Sequence, residues 1–406
     1  MRAWHRSILV YFAFFGVAWA SWAVRLPEVK TLIGVSTAEL GLVLLVGSIG
    51  SLSALLTSNR FIERFGTKPV LQGGFALFVV ALSAAAFAAS LHSPIAVAVF
   101  AFLLGFGVGV ADVAQNVDGS QIEQQLGRSI MPRLHAAYSF GTLAGAGYGA
   151  VGAWVNLSIQ WQTFALLPFA AALVLWSHRH VPVGTGRIES APGVGANSSV
   201  IDATAGDKLG RQNAFKLLFG SSLFLVGLGI FAITLVEGAS NDWLALSLVE
   251  NYGASHSNAG VGYAFLVGAM AITRFFGGNL VDLWGRDVVL RRAAIIGVIG
   301  IVAIIFGPAL FGGAALFFAW IASGLWGIGV ALAFPLFLSA AGEGNDSARR
   351  VALVATCGYT AFLVGPPLLG LLGQTIGLLN MFFVLAACLV LAAALASALR
   401  PSNLQR

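Results

Sequence analysis

Long apolar runs separated by short polar breaks constrain this chain more than any other feature. Twelve can be marked, at 7–25, 38–57, 69–91, 95–117, 134–155, 161–177, 214–237, 258–278, 293–311, 315–340, 351–373 and 380–399. Most approach the roughly 20 residues that carry a helix across about 30 Å of hydrocarbon. Only 9% of the 406 residues are charged, against about a quarter in a soluble domain. Such a chain cannot cover a water-facing surface, so lipid is its main solvent. A β-barrel would read as short alternating segments instead. The expected fold class is therefore an all-α membrane protein of twelve transmembrane helices. The first apolar run ends in Trp22-Ala23-Val24-Arg25-Leu26-Pro27 without a cleavage site, so it is expected to be a retained first span and not a signal peptide.

Charge sets the expected topology. The formal net charge is +6, but the bases lie between apolar runs and not on one face, which excludes nucleic acid as a partner. With the N-terminus inside, all of the 22 Lys and Arg except Arg25, Lys30 and Arg274 fall on the cytoplasmic side. The positive-inside rule then predicts cytoplasmic termini in a multi-pass protein of the cell inner membrane. Residues 178–212 are rich in Gly, Ser, Ala and Asp and lack an apolar period, so they read as a flexible cytoplasmic linker. It would divide a six-helix bundle over 1–177 from a second over 213–406. Cys357 and Cys388 both sit in apolar runs and indicate neither a disulfide framework nor a metal cluster.

The chain also repeats itself. Gly278-Asn279-Leu280-Val281-Asp282-Leu283-Trp284-Gly285-Arg286 joins two apolar runs, and Asn59-Arg60-Phe61-Ile62-Glu63-Arg64-Phe65-Gly66-Thr67 repeats it in altered form. Glu63 and Asp282 stand 219 residues apart, as do Gly66 and Gly285, Ser36 and Ser255, and Gly41 and Gly260. Ser36-Thr37-Ala38-Glu39 reads as a capping box at a helix start. Duplicated six-helix bundles about an axis along the membrane normal are a secondary-transporter plan, with the solute site between the halves.

Gly278, Asp282, Gly285 and Arg286 resemble the helix 2–3 signature of the major facilitator superfamily, here in its helix 8–9 copy. The first copy differs, with Asn59 for the leading glycine, Glu63 for the acid and Thr67 for a base. Within that superfamily, Asp112-Val113-Ala114-Gln115-Asn116 is similar to a segment of the fucose–proton symporter branch. His135-Ala136-Ala137-Tyr138-Ser139-Phe140-Gly141 and Glu237-Gly238 with Asp242-Trp243 resemble poorly characterised bacterial members. The resemblance implies the major facilitator fold, with two halves related by a pseudo-two-fold, and a proton-coupling role at Asp112. The second acid of those symporters, in helix 1, has no counterpart here, where Arg25 stands.

An ionisable side chain at a helix centre costs roughly 2.5–3.5 kcal/mol on insertion scales, so each needs a reason. Asp112 lies well inside helix 4 and suits a group that exchanges a proton; the alternative is a buried acid in a permanent pair. Asn116, one turn on, faces the same way. Glu237 ends the seventh apolar run, with Asn241 one turn further, as a second titrating site in the cavity or as an outer-end residue in water. Arg25 reads as a partner of Glu237, as an anion-binding group, or as an interfacial anchor. Arg274 reads as a gate residue or as one that snorkels to the surface. Trp22 and Tyr138 are candidate stacking platforms for a solute. Gly141, Gly145 and Gly149 give helix 5 a bare strip for close approach by another helix.

No P-loop, nucleophile elbow or metal-ligand histidine pair is present in the sequence, so neither an enzyme nor a cofactor is expected. The expected function is proton-coupled alternating-access transport of a small organic solute by a monomer. Drug or metabolite export, sugar-like import and a non-transporting membrane sensor remain alternatives. Asp282, Gly285 and Arg286, with Arg274 and Gly278 before them, are expected to form the inner gate. The acid would lie near a facing helix N-terminus, with Glu63 and Gly66 as the weaker counterpart.

Overall fold

The computed structural model describes residues 2–127, 130–187, 223–343 and 347–399, without the side chains of residues 132 and 347–349. Of the expected linker, residues 188–212 lie outside the described residues, as do Arg128, Lys208, Arg211 and Arg406 of the charge pattern. Fifteen α-helices and no strand are found among the described residues. They are α1 (Arg2–Ala23), α2 (Leu26–Ile33), α3 (Thr37–Phe65), α4 (Thr67–Ser90), α5 (Pro94–Leu126), α6 (Met131–Trp154), α7 (Ile159–Phe164) and α8 (Leu166–His178). After the undescribed stretch come α9 (Leu223–Tyr252), α10 (His256–Trp284), α11 (Arg286–Phe311), α12 (Ala315–Ala331), α13 (Ala333–Ala341), α14 (Ser347–Ile376) and α15 (Leu378–Leu395). Among the described residues, which are helical throughout their regular structure, ten stretches are long and apolar enough to cross a bilayer, so the chain is a multi-pass membrane protein.

Local chemistry sets the helix ends. Ser36 Oγ accepts from the Glu39 N–H at 3.3 Å while the Glu39 carboxylate accepts from the Ser36 N–H at 2.7 Å, completing the expected capping box. Ser255 Oγ accepts from the Asn258 N–H at 3.2 Å in the same way. The polar turn expected over 278–286 is a single residue. α10 continues through Asp282 to Trp284, and Gly285 alone, at φ 81° and ψ 156°, turns the chain into α11. Gly66 does the same between α3 and α4 at φ 82° and ψ 166°. Only glycine adopts this backbone without strain.

The packing divides into two compact units, each described by itself. One comprises Met1–Ser190, Asn241–Gly268 and Pro366–Leu378, the other Ala191–Ser240, Ala269–Gly365 and Leu379–Arg406. In the first, α1 lies against α6 with backbone touching backbone. A Cβ added at Gly141 would strike Ala13, one at Gly145 would strike Val17, and one at Gly149 would meet Ser21 and Val24. The glycine strip therefore has its partner, and the contacts step four residues at a time along both helices. Tyr11, Phe12, Phe15, Phe75 and Phe78 fill the adjoining core, and the Tyr11 hydroxyl and Ser177 Oγ share a hydrogen bond at 2.7 Å. Residues 179–187, expected to be loose, are held on the α3–α4 turn. The Thr67 N–H donates to the Thr185 carbonyl at 2.8 Å, and Arg187 Nε donates to the Arg64 carbonyl at 3.1 Å.

The later segments of the first unit are tied to its early helices at one end. Lys30 pairs with Glu250 and donates to Thr37 Oγ1 at 3.0 Å. The Thr37 N–H donates to Gln374 Oε1 at 3.0 Å. Gly41 lets α3 approach the Pro366 carbonyl of α14, and Gly260 lets α10 approach Val24 and Ala150. In the second unit α11 and α12 meet at Gly297 and Gly329, beneath a fully buried Trp326 that stands edge-on to Phe382.

Candidate functional site

Proline 335 explains the break between α12 and α13. It has no N–H to give the Ala331 carbonyl four residues earlier, so that carbonyl is orphaned inside an apolar stretch. Arg274 Nε–H supplies the missing donor at 3.0 Å. The same guanidinium pairs through Nη2 with Glu237 Oε1 at 2.7 Å, so one cation joins α9, α10 and the broken α12–α13 helix. Glu237 is not at the end of its span, as its place in the apolar run indicated. α9 runs fifteen residues past it to Tyr252, which sets both charges deep within their helices. The pair is partly open, with Arg274 36% and Glu237 16% exposed.

Arg25 does not reach Glu237. It is 2% exposed and pairs with Glu28, donates to Gln162 Oε1, and donates through Nη2 to the Leu157 carbonyl at 2.8 Å. Those partners consume the guanidinium in joining the α1–α2 corner to the α6–α7 turn, so neither interfacial anchoring nor anion capture fits it. Asn241 accepts from the Tyr263 hydroxyl at 2.7 Å, linking α9 to α10 in the first unit. Trp22 is 7% exposed and lies in the apolar core, so its ring is not an open stacking platform. Tyr138 is half-buried, and its backbone carbonyl lies against Gly16.

Asp112 sits in α5 with its carboxylate on amides. Oδ1 accepts from Gln115 Nε2 at 2.9 Å and from Asn116 Nδ2 at 3.1 Å. Among the described residues it forms no ion pair, but His135 of α6 lies within electrostatic reach. His135 also stands edge-on to Phe12 at 5.2 Å, which ties this polar cluster to α1. Asp112, Asn116 and His135 thus form one group on the first unit, while Glu237 and Arg274 form another on the second.

The two signature copies make related contacts. Arg286 pairs with Glu343 and donates through Nη1 to Ser339 Oγ at 3.3 Å at the end of α13. Thr67, at the matching place 219 residues earlier, donates to Asp118 Oδ1 at 2.7 Å near the end of α5. Asp118 is fully buried. Asp282 and Glu63 are exposed and make no hydrogen bond or ion pair among the described residues, so the expected seat of the acid at a facing helix N-terminus is not formed in this conformation. A Cβ added at Gly278 would meet nothing within 4 Å.

Sequence reasoning passed over Asp118, Glu250, Glu343, Gln162 and Pro335. Proline 335 could have been found, because a proline inside an apolar run always orphans a carbonyl. The other four declare themselves only through their partners.

The sequence profile of the Major Facilitator Superfamily matches residues 7–345. An uncharacterised MFS-type transporter of Yersinia pestis is 28% identical over 390 residues, covering 95% of this chain and 94% of that protein. An uncharacterised transporter of Sinorhizobium fredii is 29% identical, covering 97% and 98%. The membrane protein MosC of Rhizobium meliloti is 26% identical, covering 95% and 88%. Among solved structures, a D-xylose–proton symporter superposes with a TM-score of 0.72 at 16% identity over 99% of each chain. The nucleoside transporter NupG superposes with a TM-score of 0.67 at 14% identity over 98% of each. With helical architecture, signature and profile in agreement across most of its length, the chain belongs to the Major Facilitator Superfamily.

Proposed function

We propose that this protein is a proton-coupled secondary transporter that carries a small organic solute across a bacterial inner membrane by alternating access. Asp112 is the observation that carries the reading. It is a carboxyl deep in an apolar helix, held by neutral amides and without an ion pair among the described residues. Such a group can exchange a proton without dismantling a salt bridge, and neutralising it lowers the cost of enclosing it. Asn116 holds that carboxyl and offers polar contacts to solute, with Tyr138 and Asn241 as further candidates; Glu237 and Arg274 supply the second charged group.

Length supports twelve crossings. The stretch Arg286–Ala341 counts as one of the ten but has 56 residues, about 84 Å as continuous helix, so it makes two crossings on either side of Gly312. α6, 24 residues long but rich in glycine, supplies the remaining one. The equal turns at Gly66 and Gly285, the left-handed Gly34 (φ 66°) and Gly253 (φ 62°), and the two serine caps all recur at the same spacing. That recurrence supports two six-helix halves related by a pseudo-two-fold, joined through 178–212 with both termini cytoplasmic. In this topology the end tied by Lys30, Glu250, Thr37 and Gln374 is the outer one, and it is closed. Asp282 and Glu63 then make their latch contacts in the opposite state, while Arg286 and Glu343 brace the turn in this one.

The test is reconstitution into proteoliposomes under an imposed pH gradient, with a panel of sugars, nucleosides, amino acids and carboxylic acids. Solute-dependent proton movement is expected for at least one class and should be lost in Asp112→Asn. Unchanged proton movement in that variant removes Asp112 from the role of carrier.

A further inference from the structure

We propose that Arg274 is an anion-binding centre occupied at rest by Glu237, and that the solute carries a carboxylate. This rests on the transporter reading above and names the chemistry of its cargo. The guanidinium is fixed by its Nε–H, which donates to the Ala331 carbonyl that Pro335 leaves orphaned. That bond is to backbone and does not depend on Glu237, so the group keeps its orientation when the carboxylate leaves. Glu237 takes only Nη2, through one oxygen, and Nη1 has no protein partner among the described residues. The Nη1–Nη2 edge is therefore incompletely used, and it has the fork geometry that a carboxylate engages with both oxygens. A purely structural pair at this depth would be sealed. The Arg274 side chain is instead 36% exposed, and leaving a charge open to hydrocarbon is costly on insertion scales, so its open face is assigned to water. Arg25, whose partners surround it at 2% exposure, shows what a sealed arginine looks like in the same chain.

The experiment uses full-length protein in nanodiscs, titrated with sodium benzoate, gluconate and succinate, and with benzamide and D-xylose as neutral counterparts at matched ionic strength. At least one carboxylate is expected to bind and raise Tm, and its neutral counterpart to do neither. Arg274→Lys keeps the charge but loses the fork, and should weaken that binding about tenfold. Arg274→Gln should abolish it. Glu237→Gln removes the resident competitor and should tighten it severalfold, a gain that a damaged fold would not produce. Binding of no carboxylate, equal binding of neutral counterparts, or weakening by Glu237→Gln would each overturn the inference. If D-xylose or a nucleoside still drives proton movement in proteoliposomes, the transporter reading survives that failure. Absence of all solute-dependent proton movement removes the transporter reading itself, whatever the nanodiscs bind.

Discussion

Two arginines inside apolar helices have opposite characters, and the difference lies in their neighbours. Arg25 is enclosed by a carboxylate, an amide oxygen and a backbone carbonyl. Removing it strands Glu28 and those acceptors in a dry corner, and breaking a buried pair costs about 3 kcal/mol or more. Arg25→Gln is therefore expected to lower stability by that order in chemical or thermal unfolding of the detergent-solubilised protein, whereas Arg274→Gln should lose less stability and more binding. The sequence marks both arginines as needing a reason but leaves Arg25 open between a pairing with Glu237, an anion site and an interfacial anchor. Partner choice between residues far apart in the chain is a property of packing, which spacing along one helix does not encode. The end of the seventh apolar run at Glu237 is likewise not the end of the helix. A hydropathy run stops at a charge, but a helix whose backbone is satisfied does not, so α9 continues well past it.

At the level of elements, a close helix contact along the glycine strip of α6 was legible because glycines four apart favour close approach on a helix. What the sequence could not name was the helix that fills the strip. A side chain at Gly141 runs into the Ala13 backbone, which has no rotamer to yield. Gly141→Ala is thus expected to destabilise by about 1–3 kcal/mol. Gly147→Ala on the same helix, where nothing lies within 4 Å, should be neutral or stabilise slightly through helix propensity. Unfolding curves of the two variants side by side test the packing and cancel the shared substitution. The strap of residues 179–187 over the α3–α4 turn is not legible because its hold is made of hydrogen bonds onto backbone carbonyls, to which composition is blind.

For the whole molecule, the proposed alternating-access cycle makes the tied end of the first unit and the acids of the two turns, which have no ion pair among the described residues, testable as parts of one conformational balance. Lys30 and Glu250 join segments 220 residues apart in the chain. Lys30→Glu should open that end, seen as faster labelling from outside of a single cysteine introduced near Thr37, and Glu250→Lys in the same chain should restore protection. On the proposed latch role, Asp282→Asn should shift labelling the other way. Labelling rates that do not move in opposite directions would separate these groups from the balance. The outline of this machine, its helices, repeat and turns, could be read from residue types alone because lipid enforces simple rules on helix length and charge. Which side chains are paired could not, since partners far apart in the chain are chosen by packing.

The orphaned carbonyl at Ala331 also bears on how the chain is made. α10 carries a full charge into the bilayer and emerges from the ribosome when only one of Arg274's two partners, Glu237, has preceded it. The second is created later, when Pro335 breaks the helix that follows α11. During synthesis α10 is therefore expected to insert less readily alone than beside α9, since an arginine at a helix centre costs roughly 2.5–3.5 kcal/mol. The backbone bond that the broken helix later supplies completes the bonding, so the proline that deforms one span also serves another.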